Sequence, residues 1–100
     1  MVTITAVIRA KAGREDLVER ALRAVVAAVK AGEPGTVAYV VSRGLDDPSV
    51  FTTFERFRDQ AAMRLHNDSR AVAEFVAATK DSLAGPIELH SCRELDAKLP

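Results

Sequence analysis

Glu33-Pro34-Gly35-Thr36-Val37-Ala38-Tyr39-Val40-Val41-Ser42-Arg43-Gly44-Leu45-Asp46-Asp47-Pro48-Ser49-Val50-Phe51-Thr52-Thr53-Phe54-Glu55-Arg56-Phe57 is the stretch that decides the fold. Two runs rich in β-branched and aromatic residues, Thr36 to Arg43 and Val50 to Arg58, flank a polar Gly/Asp/Pro segment at 44–49. That pattern predicts a β-hairpin. Glu33-Pro34-Gly35 forms the turn that enters it, with Pro fixing φ and Gly supplying the permissive position. A short helix comes next, capped by Asp59 and running from Gln60 to about Leu65, just before His66.

Working outward, Val2 to Ala10 alternates as a strand, with Val2, Ile4, Ala6, Ile8 and Ala10 on one face. Arg14 to Ala31 has the 3.6-residue period of a helix, with Leu17, Ala21, Leu22, Val25, Ala28 and Val29 as its apolar stripe. Asp16 with Arg20, and Glu19 with Arg23, are spaced for ion pairs along that helix. A further helix is predicted over 69–82, and a last strand over Ile87 to Leu95. Residues 96–100 form a tail.

The resulting order is β-α-β-β-α-β, the α+β ferredoxin-like arrangement with a four-stranded antiparallel sheet. Right-handed crossovers put both helical layers on one face of the sheet. The other face should alternate cleanly if it met only water. It does not: Ala38 and Val40 back onto Val37, Tyr39 and Val41, and Phe54 backs onto Phe51 and Phe57. Such a surface marks an interface, so a homodimer packed sheet to sheet is expected.

With 100 residues, one domain spanning 1–100 is expected. Lys+Arg and Asp+Glu balance at 14 each and no basic face stands out, which argues against nucleic-acid binding. The lone Cys92 excludes an internal disulfide and a zinc finger. Met1 to Ile8 lacks the features of a signal peptide, and no run is long enough to span a membrane, so a cytoplasmic location is expected.

Glu33-Pro34-Gly35, Tyr39, Asp46-Asp47-Pro48, Phe51, Glu55 with Phe57 and Asp59, then His66 with Ser69 and Phe75, resemble the antibiotic biosynthesis monooxygenase (ABM) domain family, from Val2 to about Leu95. The resemblance implies a dimeric α+β barrel of ferredoxin-like subunits, with a pocket between sheet and helices. Some members oxidise aromatic polyketides or quinols with molecular oxygen and no metal or flavin. Others isomerise phosphorylated sugars, degrade haem or have no known activity. Two departures matter. There is no Trp, so Phe57 stands where anthrone oxygenases tend to carry one, and the haem-degrading set is missing. Arg70 stands where many relatives have a second His.

His66 is the candidate catalytic residue, since an imidazole can take a proton from a phenol near neutrality. The alternative is a histidine hydrogen-bonded at a helix end. Tyr39, Phe51, Glu55, Phe57, Met63, Phe75 and His90 are the candidate substrate-binding residues. Each has a plain reading beside it: core packing for the aromatics and Met63, a cross-strand pair with Arg43 for Glu55, and a sheet-surface position for His90. The expected activity is a cofactor-independent monooxygenase acting on a small aromatic, quinol or polyketide-type molecule, with no metal. The alternatives are a non-catalytic dimeric small-ligand-binding or accessory protein, and an isomerase with a His base.

Overall fold

The computed structural model describes residues 1–100. Strand β1, Val2–Arg9, leads to helix α1, Glu15–Gly32, and to the hairpin β2, Thr36–Arg43, and β3, Val50–Phe57. Helices α2, Gln60–Asn67, and α3, Arg70–Thr79, precede β4, Glu88–Arg93. The sheet is antiparallel with order β2-β3-β1-β4. This is the expected ferredoxin-like arrangement. Ala10 leaves the ladder and bridges Leu83 instead.

The sheet's helix-side face is set by period two. Ile4, Ala6 and Ile8 of β1 and Phe51, Thr53, Glu55 and Phe57 of β3 are all buried there. Helix α1 covers them with Val18, Leu22, Val25 and Val29, positions one turn or two apart on a single stripe. That stripe is rotated from the expected one. Val18 is fully buried, while Leu17 and Ala28 sit on its shoulders. The apolar cluster of Ile8, Ala10, Val18, Leu22, Val25, Val29, Phe51 and Phe75 is the core.

The expected ion pairs of α1 are half right. Arg23 Nε donates to Glu19 Oε2 at 3.2 Å, but Asp16 turns to Arg43 rather than Arg20. Arg43 is thereby committed to Asp16, Glu19 and the Pro48 carbonyl, so the expected Arg43–Glu55 pair does not form. A β-bulge also breaks the alternation of β2. Thr36 lies opposite Phe57 and Ala38 opposite Arg56, so Val37 is the extra residue and is exposed. The bulge brings Thr36 and Tyr39 to the helix-side face together, which strict alternation forbids.

Side-chain caps fix where α2 and α3 begin. Asp59 Oδ1 accepts from the Ala62 N–H at 2.8 Å, the cap expected for α2. Ser69 Oγ accepts from the Val72 N–H at 3.2 Å and starts α3. Helix α2 runs past Leu65, so His66 lies within its last turn. Helix α3 stops at Thr79, short of the expected end, with Ser82 turned back onto the Thr79 carbonyl.

Helix α2 comes close to the Glu33-Pro34-Gly35 turn because Gly35 has no side chain. A Cβ built there would lie 2.8 Å from Ala62 Cβ. Gly35→Ala should therefore push α2 outward and cost about 1–3 kcal/mol. Urea unfolding should show this, with part of the loss recovered in the Gly35→Ala, Ala62→Gly double variant. Equal stability of Gly35→Ala and wild type would refute the close approach.

Candidate functional site

Glu33 is the C-cap of α1, and its carboxylate sits at the negative end of the helix dipole. A carboxylate there gains from a nearby cation. His66, delivered by the last turn of α2, meets it: Nδ1 lies 2.8 Å from Glu33 Oε1. The other ring nitrogen, Nε2, lies 3.4 Å from Glu55 Oε1 on β3. Thr36 Oγ1 donates to Glu33 Oε1 at 2.8 Å, and Thr53 Oγ1 donates to Glu55 Oε2 at 2.7 Å. An imidazole is thus held between two carboxylates, each steadied by a threonine hydroxyl. No buried side-chain polar atom of the protein is left without a partner.

His66 is 2% exposed and Glu55 5%. Tyr39 and Phe57 pack on the imidazole, with ring centroids 5.0 and 5.4 Å away. Burial alone disfavours the imidazolium, but hydrogen bonds to Glu55 and Glu33 and their charges outweigh it and raise the His66 pKa. A carboxylate facing each ring nitrogen favours the doubly protonated ring. Tyr39 moves the other way in function: burial, then the charges of Glu55 and Glu33, push its phenol up and keep it protonated. It is no base.

A cavity of about 600 Å³ opens beside this row, where α1 ends and α2 and α3 begin. Alanines 28, 61, 62 and 71 and Leu65 make its apolar wall, and Arg58, Asp59 and Arg70 its charged part. Of the charged row, Glu33 alone reaches that wall, and His66 and Glu55 lie behind it. Glu33 also lines a smaller pocket of about 270 Å³ between α1 and β2, shared with Tyr39.

Among the residues expected at a site, the fold brings together His66, Tyr39, Glu55 and Phe57. Phe51 and Phe75 belong to the apolar core instead. Met63 is half-buried on α2 and does not line the large cavity. His90 pairs with Thr5, on the face of the sheet away from His66. Arg70 is exposed, donates from Nε to Glu74 at 2.8 Å, and lines the cavity. Glu33 is the residue that sequence reasoning misses, because it reads as part of a turn. Its signal is an acid at a helix C-terminus, where acids are disfavoured.

The profile of the family described as Antibiotic biosynthesis monooxygenase matches residues 1–78. The "Putative monooxygenase YcnE" of Bacillus subtilis (strain 168) is 30% identical over 57 residues, a match spanning 57% of this chain and 60% of that protein. The crystal structure of PA3566 from Pseudomonas aeruginosa is similar with a TM-score of 0.86 and 28% identity, over 95% of this chain and 94% of that one. Rv0793 from Mycobacterium tuberculosis shares the fold, with a TM-score of 0.88 and 22% identity over 96% of each chain.

The charged row makes stability depend on pH. Because the folded pKa of His66 lies above the usual 6.5, its stabilisation is complete below about pH 6.5 and is lost as pH rises through the folded value. The His66 ring resonances should therefore titrate above 6.5 by NMR, and Glu33→Gln should lower that midpoint. The urea midpoint of wild type should fall across the same window, more steeply than that of Glu33→Gln. A wild-type ring midpoint at or below 6.5 would contradict the arrangement.

Proposed function

This chain belongs to the antibiotic biosynthesis monooxygenase family, and from that premise we propose that it oxidises a small hydroxylated aromatic molecule, a quinol or polyketide, with molecular oxygen. The observation that carries the proposal is a carboxylate on the wall of an apolar cavity with a buried imidazole behind it. The Glu33–His66–Glu55 row holds two carboxyl groups for one imidazole, so it can take a proton from a phenol or an activated C–H.

His66 acts through Glu33 in this scheme. Both its nitrogens are engaged by carboxylates, and it holds Glu33 aimed at the cavity. The deprotonated, electron-rich substrate then reduces dioxygen without a resident cofactor. One oxygen atom enters the product and the other leaves as water, with the substrate supplying the electrons. Alanines 28, 61, 62 and 71 and Leu65 offer an apolar wall for the ring system. The cytoplasm is the proposed location.

A second reading, a binder that returns its ligand unchanged, draws on the sealing of His66 at 2% exposure. Oxygen uptake separates the two. Metal-free protein given anthrone or quinols should consume oxygen above the buffer rate, and Glu33→Gln should lower that rate by about 100-fold or more. Consumption equal to buffer, with ligand bound and recovered intact, would leave the binder.

The outer face of the sheet supports a homodimer. Val40 and Phe54 are neighbours there, 50% and 39% exposed, with Val7 and the threonines 5 and 52 around them. A second copy covering this face would keep that surface dry. Sedimentation at micromolar concentration should give a dimer, and Phe54→Arg should shift it toward monomer. A monomeric wild type would end this part of the proposal.

A further inference from the structure

Of the charges that stand where their own helices disfavour them, Arg14 lies at the N-cap of α1 and Asp68 at the C-cap of α2, while Glu33 and Arg70 share a cavity. Glu33 caps the C-terminus of α1, and Arg70 is the first residue of α3, at its positive end. The first turn of α3 contains no acid to offset that end, whereas α1 begins with Glu15 and Asp16 and α2 is capped by Asp59. Glu33 and Arg70 line the same 600 Å³ cavity. Glu33 has a local partner in His66, which explains its position. Arg70 has only Glu74, an exposed neighbour one turn along the same helix, with side chains 92% and 65% exposed.

A second guanidinium stands on the same cavity. Arg58 donates from Nη2 to the Pro34 carbonyl at 3.3 Å, which fixes its head beside the turn. A guanidinium has five N–H donors. Arg70 uses one on Glu74, and Arg58 uses one on Pro34. Asp59, the remaining acid of the wall, already accepts from the Ala62 N–H. The cavity therefore has an apolar wall, a carboxylate, a guanidinium beside the turn that carries that carboxylate, and an exposed second guanidinium, both arginines with spare donors.

We infer that the cavity takes an aromatic molecule bearing an anionic substituent, a carboxylate or a phosphate, held by Arg58 and Arg70. This rests on the proposed function for one point alone: the substrate hydroxyl then faces Glu33. Arginine matches both anions through paired N–H donors, and such charge-assisted bonds are the strong ones.

The test measures binding, so it does not depend on turnover. Naphthol, hydroxynaphthoate and naphthyl phosphate are titrated against the intact protein by their own fluorescence. At least one of the two anions should bind about tenfold or more tighter than naphthol, the ratio expected of one charge-assisted contact. The tighter one identifies the anion. Arg70→Gln and Arg58→Gln should each erase most of that advantage while leaving naphthol binding unchanged, with the fold checked by circular dichroism. Raising salt should shrink the gap between anion and naphthol. Equal affinity for all three, no binding of any, or an anion preference that survives both substitutions would each overturn the inference. A preserved preference in protein that consumes no oxygen would uphold it while removing the monooxygenase reading.

Discussion

The clamp of His66 between Glu33 and Glu55 ties together the end of α1, the middle of the sheet and the end of α2. Glu33 ends α1, Glu55 lies in the middle of the sheet, and His66 ends α2. Helix α2 has few other reasons to sit where it does: His66 is its one buried residue. Leu65 on the same helix points to solvent, 75% exposed. The position of α2 is therefore set by an electrostatic contact and by the missing side chain of Gly35. Removing one partner would leave a buried charge without its counterpart, which costs about 3–5 kcal/mol in typical proteins. The cavity beside α2 inherits its shape from that contact.

Much of the fold is legible in the sequence because its signals are local. Period two in β1 and β3, the helical period of α1, and the Asp59 cap each act over a few residues, and the structure has each of them where expected. The shift of the α1 stripe toward Val18 is not legible. Leu17 and Val18 are both apolar, and only the position of α3 decides which one faces inward. The bulge in β2 is equally hidden. Thr36, Val37 and Ala38 fit an unbroken strand, and the extra residue comes from pairing with β3.

The site is legible in part, and the failures have a common cause. His66, Tyr39, Glu55 and Phe57 stand out as residue types, and the fold gathers them. Their partners do not stand out. Strand proximity alone pairs Glu55 with Arg43, yet Arg43 is drawn to the two acids of α1 and to Phe51, 5.3 Å beneath it. His90 and His66 are alike in sequence, and the register of β4 on β1 puts His90 on the other face. Long-range pairing between side chains cannot be read from spacing. A charge placed against its helix dipole can be, and Glu33 is such a case.

The same charged row limits how well this small fold can hold itself together. Only 17 of 100 residues are buried, and the apolar cluster involves eight of them. At the Phe57 end of the sheet, the space between strands and helices holds an imidazole and two carboxylates instead of aliphatic side chains. A buried ion cluster contributes less net stability than the apolar packing it displaces, because desolvation offsets most of the attraction. Strand β4 adds little compensation: it is exposed along its whole length and pairs with β1 alone. A domain of 100 residues also buries a smaller fraction of its surface than a larger one does. A charged row at one end of the sheet and exposed apolar residues on its outer face are then two sides of one constraint. The interior gives up packing to hold an imidazole and two carboxylates, and the outer face offers area that a second subunit could bury in return.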